Sequence, residues 1–236
     1  MKRKLLASFM SLIMVLTMLV PANYVWAAEE SFTDASAFQF DSSTGTITGL
    51  TEAGKQLTEI NIPKQINGVN VTAIGKSAFE YCMSLASVTI PEGVTSIGGE
   101  AFYNCSSLTS ITIPASVTSI GNGAFSNCIS LTSIEMPASV TSIGTGPFGG
   151  CFKLKEIIVN EQNPNYLSEE GVLFNKEKTL LIQYPAGKEA VSYDIPTGVT
   201  SIGEWAFQGC SSLIKVTIPE GVTSIGSGAF IKLLQP

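Results

Sequence analysis

The chain has 236 residues and a formal charge of −6, with no histidine and a single arginine, Arg3. Without histidine no side chain titrates ordinarily near neutrality, and without arginine beyond position 3 no guanidinium fork is present to clamp a phosphate. The lysines are scattered singly or in close pairs such as Lys153/Lys155 and Lys176/Lys178, so no basic stripe exists for nucleic acid or an anionic membrane.

Residues 1–27 read as a signal peptide. Lys2, Arg3 and Lys4 precede an apolar run from Leu5 to Val20, and Val25-Trp26-Ala27 places small residues where a signal peptidase cuts. Cleavage after Ala27 removes three positive charges and no negative one, which leaves −9. An uncleaved membrane anchor is the other reading of the segment, because Trp26 and a long apolar run also suit an interface. No later run is apolar enough to span a bilayer.

Residues 28–70 form an N-terminal cap and an irregular first coil. Phe38, Phe40, Ile47 and Leu50 predict a hairpin, and Leu57, Ile60 and Ile62-Pro63 predict a short strand with its stop.

Residues 71–159 are a regular array. Val-Thr-Ser-Ile-Gly begins at Val94, Val117 and Val140, after the related Val71-Thr-Ala-Ile-Gly, and the step is 23 residues each time. A period of that size means one small unit stacked on copies of itself. The copy from Cys105 to Asn127 shows its parts. Leu108, Ile111 and Ile113 belong to a β-branched strand that ends at Pro114, and Val117 and Ile120 belong to a second short extended piece. Gly121 then turns the chain, and Ala124-Phe125 forms a helical or 3₁₀ turn aimed inward. A single coil of this kind cannot bury enough apolar surface to offset the entropy of ordering it, so neighbouring coils must supply ladders and cover its open faces.

Residues 160–198 are irregular insertion coils, since the step from Val140 to Val199 is 59 residues. Asn160-Glu-Gln-Asn-Pro-Asn165 is a turn, while Gly171–Phe174 and Thr179–Pro185 flank a hairpin turn at Asn175–Lys178. Leu181–Pro185 and Val191–Pro196 have the strand-then-Pro form of the regular first strand. Three tyrosines fall here, Tyr166, Tyr184 and Tyr193. Aromatic rings are favoured in binding surfaces, and they also fill the core of a wider coil. Residues 199–236 hold the last repeats, from Val199 and Val222. The pattern lapses after Phe230, with Leu233 where a cysteine is expected, so no C-terminal cap is expected and either truncation or cover by another chain is implied.

The pattern Cys-x-x-Leu-x-x-Ile-x-Ile-Pro-x-x-Val-Thr-Ser-Ile-Gly-x-x-Ala-Phe resembles the leucine-rich repeat class of the BspA-like surface proteins, also known from treponemal proteins. The resemblance is carried by Cys82–Phe102, Cys105–Phe125, Cys128–Phe148 and Cys210–Phe230, with Val71–Phe79 as a partial leading copy. It implies a right-handed, β-rich leucine-rich-repeat solenoid of 23-residue coils, each with short strands and a short helical or 3₁₀ turn. It also implies a place on or around a bacterial surface, and a role in protein binding, adhesion or colonisation. One departure matters: Gly93, Ser116 or Ser139 stands where the commoner pattern has Asn or Cys, which removes the expected asparagine ladder.

Cys82, Cys105, Cys128, Cys151 and Cys210 share one repeat position, just before the strand leucine. This position suits a small buried packing residue better than a disulfide, because parallel Cβ vectors seldom match bridge geometry. With no histidine and no Cys-x-x-Cys pair, a zinc site is not expected, and no cofactor is implied. Enzyme motifs are also lacking. Glu169-Glu170 is the nearest to a carboxylate pair, but neighbours along a strand point to opposite faces, and solvated charge describes them better.

Function therefore falls to the surface. Outward pairs on the first strand are Ser87/Thr89, Ser110/Thr112, Ser133/Glu135, Glu156/Ile158 and Lys215/Thr217. A recognition site should depart from the scaffold repeat, which selects Glu135, Glu156 and Ile158, with Tyr166, Tyr184 and Tyr193 from the insertion, as candidate partner contacts. The expected partner is a protein, of a host or neighbouring-cell surface or matrix, with neither nucleic acid nor, after cleavage, membrane. A spacer, or an N-terminal fragment of a larger surface protein, is the competing reading.

Overall fold

The computed structural model describes residues 31–231; the expected signal peptide and Leu233 lie outside them. The chain opens with β1 (Phe38–Asp41) and β2 (Thr46–Leu50), an antiparallel hairpin as the alternation of Phe38, Phe40, Ile47 and Leu50 predicts. β3 (Glu59–Asn61) follows, and then a tight hairpin of β4 (Gln65–Ile66) and β5 (Val69–Asn70) around Asn67-Gly68, both of which take positive φ.

The regular coils contribute two strands each. These are β6 (Ala73–Ile74), β7 (Ser87–Thr89), β8 (Ser96–Ile97), β9 (Ser110–Thr112), β10 (Ser119–Ile120), β11 (Ser133–Met136), β12 (Ser142–Ile143) and β13 (Glu156–Val159). The insertion adds β14 (Tyr166–Glu169), β15 (Val172–Asn175), β16 (Leu180–Gln183) and β17 (Ser192–Asp194). The last coils carry β18 (Ser201–Ile202), β19 (Lys215–Thr217) and β20 (Ser224–Ile225).

Two parallel ladders run along the resulting β-solenoid. The first joins β3, β7 and β9, then β11 and β13, then β17 and β19. The second joins β2, β6, β8, β10 and β12, and resumes at β16, β18 and β20. Register follows the period, so Ser96, Ser119 and Ser142 stand side by side, as do Ile97, Ile120 and Ile143. β1 closes the outer edge of the second ladder, and β2 is already one of its rungs, so the cap doubles as the first coil.

The inward residues of the coils form two cores, one from Ala37 to Val159 that also takes in Leu173 and Ile182, and one from Val172 to Ala229. Cys105, Leu108, Val117, Ala124 and Phe125 have no exposed surface, and Ile111 and Ile113 are nearly as deep. Burying a ring such as Phe125 contributes about 3 kcal/mol. The rings of Phe79, Phe102, Phe125 and Phe148 stack as a spine with centroids 4.9, 5.3 and 5.7 Å apart. The turn that aims Phe125 inward is held by bonds of 3₁₀ spacing, from Ala124 N to Gly121 O and from Cys128 N to Phe125 O.

The cysteines are buried and unbridged, in the packing role expected of them. Three of the thiols also donate to a backbone carbonyl one coil back: Cys105 to Phe79 O, Cys128 to Phe102 O and Cys151 to Phe125 O, all at 3.1 Å. The asparagine ladder has a substitute. Ser116 Oγ donates to Val94 O and Ser139 Oγ to Val117 O, both at 2.7 Å, and Asn163 Nδ2 continues the row to Val140 O at 2.9 Å.

The insertion differs from its sequence reading in two respects. β14, β15 and β16 form an antiparallel meander rather than a single hairpin, with Tyr166–Glu169 as the additional strand. β16 then joins the second ladder through Leu180–Ser201 and Leu181–Ile202 pairing, whereas its strand-then-Pro form predicts a first strand. The reason is length. From Leu181 the chain reaches Tyr184 in three residues, and Tyr184 N donates to Ala206 O as a spine phenylalanine would, so Pro185 follows the inward turn and not a first strand.

Candidate functional site

Alternation on the first ladder decides which side chains face out. Val88, Ile111, Ile134 and Ile157 point into the core, which turns Thr89, Thr112, Glu135 and Ile158 to solvent. The rows at β7 and β9 carry hydroxyls at both outward positions, after Glu59 and Asn61 on β3. At β11 and β13 the chemistry changes: Glu135 and Ile158 are register partners, and Ile158 remains 39% exposed.

The same place interrupts the sheet. β9 and β11 belong to separate sheets, and a cleft of about 500 Å³ lies over the junction, lined by Ser110, Thr112, Ser133, Glu135, Ile158 and Asn160. Hydroxyls, one carboxylate, one amide and the exposed Ile158 thus share one open depression, whose lining also includes Ile111, Ile134 and Met136. This set can exchange hydrogen bonds with a partner and bury one aliphatic contact.

Glu156, the register partner of Ser133, is exposed at the far side of this face, where the insertion meets β13. Gly171 packs directly on it: a Cβ at Gly171 would lie 2.9 Å from that of Glu156. The approach is used, since Ile157 N donates to Gly171 O at 3.0 Å and Val159 N to Ser168 Oγ at 3.2 Å, which fastens the meander to β13.

The three tyrosines do not join this face as a group. Tyr166 is half-buried, and its hydroxyl accepts a bond from Ile143 N at 3.0 Å, closing the edge that β12 would otherwise leave open. Its ring lines a second cavity of about 360 Å³ with Ile143, Asn175, Leu180 and Glu204, in the gap between the two parts of the second ladder. Tyr184 corrects the expectation of a contact residue. It has no exposed surface and takes the place of a spine phenylalanine, with its centroid 5.3 Å from that of Phe207. Its hydroxyl has no hydrogen-bond partner, and burial pushes the phenol up to about 12. Tyr193 leans on the same cluster, 4.9 Å from Tyr184 and 6.2 Å from Phe207, and remains only partly exposed; burial raises its phenol as well. Of the carboxylate pair, Glu169 is engaged with Lys178 in an ion pair.

The residue that organises this region is Asn163, which the sequence shows only as part of a turn. It is fully buried, and its Nδ2 donates to Pro137 O at 3.0 Å and Val140 O at 2.9 Å. Its Oδ1 accepts from Asn165 N and Tyr166 N, both at 2.9 Å. The available signal was its spacing, one residue beyond a full period after Ser139.

The model of the BspA type leucine rich repeat region matches residues 52–170 and 186–234 in six copies. The chain belongs to the BspA-type leucine-rich repeat family. This BspA-type chain is 31% identical to a leucine-rich repeat protein from Eubacterium ventriosum, with a TM-score of 0.64 over 79% of this chain and 56% of that one. It is 28% identical to the pneumococcal vaccine antigen PcpA, with a TM-score of 0.69 over 81% of this chain and 53% of that one. A leucine rich cell surface protein from Faecalibacterium prausnitzii is 29% identical, with a TM-score of 0.57 over 86% of this chain and 75% of that one. The BspA-type chain thus spans about half the length of the first two. No curated protein matches it.

Proposed function

We propose that this BspA-type repeat protein works outside a bacterial cell, at its surface or secreted from it, as a module that binds another protein in adhesion. The observation that carries the reading is the side-by-side placement of Glu135 and Ile158 over a cleft, at the point where the matching hydroxyl rows of β7 and β9 stop. An exposed isoleucine beside a carboxylate adds nothing to a solenoid core, and partner faces set apolar contacts within a polar rim. The extracellular setting is supported by the leader-like residues 1–27 and by the resemblance to a protein described as a cell surface protein. The acidic, arginine-poor surface favours protein over nucleic acid.

The repeat itself supplies the test. Thr is the residue at this position in β7, β9 and β19, so Glu135→Thr with Ile158→Thr restores the scaffold without strain. Binding of the chain and of the double variant to immobilised matrix and cell-surface proteins is then compared. Saturable binding that the double variant loses supports the reading, while equal binding by both, or none by the folded parent chain, overturns it.

A further inference from the structure

The irregular coil leaves a notch on the turn edge of the solenoid. A regular coil needs five residues from its second-ladder isoleucine to its spine ring, as from Ile120 to Phe125, but the insertion coil needs three, from Leu181 to Tyr184. The two missing residues are those that bulge outward, so the flanking coils close over the gap. Gln208 and Trp205 reach back to Gly149 and Gly146 on the far side of the insertion, and Phe152 reaches forward to Gly209.

Trp205 occupies an unusual position. Its φ is 58°, in the left-handed region, where a bulky side chain is strained. The equivalent residues are Ser77, Glu100, Gly123, Gly146 and Gly228, all with φ between 54° and 63°. The glycines on either side make room for the indole, since a Cβ at Gly146 would stand 2.8 Å from its Cδ1 and one at Gly228 would stand 2.5 Å from its Cε3. Filling a notch asks only for bulk. Placing the largest side chain where the backbone favours glycine has a cost that packing alone does not explain.

The surroundings supply a reason. Trp205 ends a groove of about 310 Å³ that runs across the turns to Tyr103, and both rings are half-buried. Tyr103 meets the exposed Tyr81 edge-on at 5.5 Å, which extends the aromatic strip. Asn127, Gln208 and Glu100 line the groove with the two rings, and the Glu100 carboxylate pairs with Lys76 at 3.5 Å. Among the described residues, the amides of Asn127 and Gln208, the Tyr103 hydroxyl and the Trp205 indole N–H make no hydrogen bond within the protein. Each amide offers donor and acceptor side by side. No lysine lines the groove.

We infer that this groove binds a neutral oligosaccharide. The apolar C–H face of a pyranose lies flat on an aromatic ring, and vicinal hydroxyls pair with one amide or carboxylate that both donates and accepts or accepts twice. Two rings and the amides that line the groove with them match a chain of sugars, whose C–H faces and hydroxyl edges recur along its length. Lys76 pairs with the Glu100 carboxylate, so the charges at this point balance, and with no lysine in the lining itself a neutral glycan fits better than an anionic one. The groove lies on the turn edge, apart from the first-ladder face with Glu135 and Ile158, so the inference stands independently of the proposed protein binding.

Isothermal titration of the chain with cellotetraose, maltotetraose and chitotetraose tests it, the three separating glucans from acetamido sugars. Binding of at least one is expected. Trp205→Gly supplies the residue that the repeat uses at this position and so keeps the fold, which a thermal melt checks, while affinity falls by about tenfold or more. Gln208→Ala gives a second reading through hydrogen bonding alone and weakens the same ligand severalfold. No heat with any of the three, or undiminished affinity in folded Trp205→Gly, overturns the inference.

Discussion

The regular coils of residues 71–159 and the irregular coils of 160–198 solve the same problem by opposite means. In the array each contact is a copy of its neighbour: Phe on Phe, Cys thiol to carbonyl, Thr118 Oγ1 to Thr95 O and Thr141 Oγ1 to Thr118 O. In the insertion each contact occurs once. Asn163 satisfies four backbone groups, Tyr166 closes β12, and Gln183 Nε2 reaches the carbonyls of Tyr184 and Ala206. Periodic contacts distribute their cost over many sites, whereas one-off contacts concentrate it on single side chains.

This contrast yields measurements. The largest effect is expected in alkali. Burial raises the thiols of Cys105, Cys128, Cys151 and Cys210 above their ordinary value near 9, the last two to about 12. The folded state keeps these protons and the unfolded state releases them, so their contribution is fully present below about pH 9 and is lost as pH rises toward 12. Melting temperatures taken from pH 7 to 11.5 should fall steeply above 9. Replacing Cys105, Cys128 and Cys151 with alanine should flatten that fall more than replacing Cys210 alone.

Within the array, Phe125→Ala opens a gap between Phe102 and Phe148 and should cost about 4 kcal/mol in urea denaturation. In the insertion, Asn163→Ala strips hydrogen bonds from buried backbone groups, costs about 3 kcal/mol, and should free the 160–175 amides to hydrogen exchange while those of 71–130 remain protected. Equal loss of protection in both regions would erase the distinction between them. The smallest effect is Tyr184→Phe. It removes a buried hydroxyl without a partner and restores the spine residue, so stability should stay within about 1 kcal/mol of the parent or rise.

What could be read from the sequence divides along the same line. Val94, Val117 and Val140 with their trailing Ile-Gly reveal both strands, the turn and the inward Phe, because each copy confirms the others. The outward position of Glu135 and Ile158 follows from strand alternation alone. β14 escaped because Tyr166-Leu-Ser-Glu169 gains its pairing from β15 rather than from a pattern of its own. Tyr184 was misplaced among the contacts because only a register two residues shorter than the repeat turns it into the core. The groove ending at Trp205 escaped because its walls come from coils on both sides of the insertion.

The offset of the side-chain bonds has a consequence for how such a chain changes length over generations. Thr141 reaches back 23 residues, as Thr118 and Thr95 do, and each regular coil presents the same acceptors to the next. A duplication or loss of one whole unit, such as residues 105–127, therefore leaves all remaining partners in place, and the array can grow or shrink by recombination between its own near-identical segments. Asn163 sets the boundary of that freedom. Its four partners lie in two coils of fixed spacing, so lengthening is permitted up to Pro137 and forbidden between Pro137 and Tyr166.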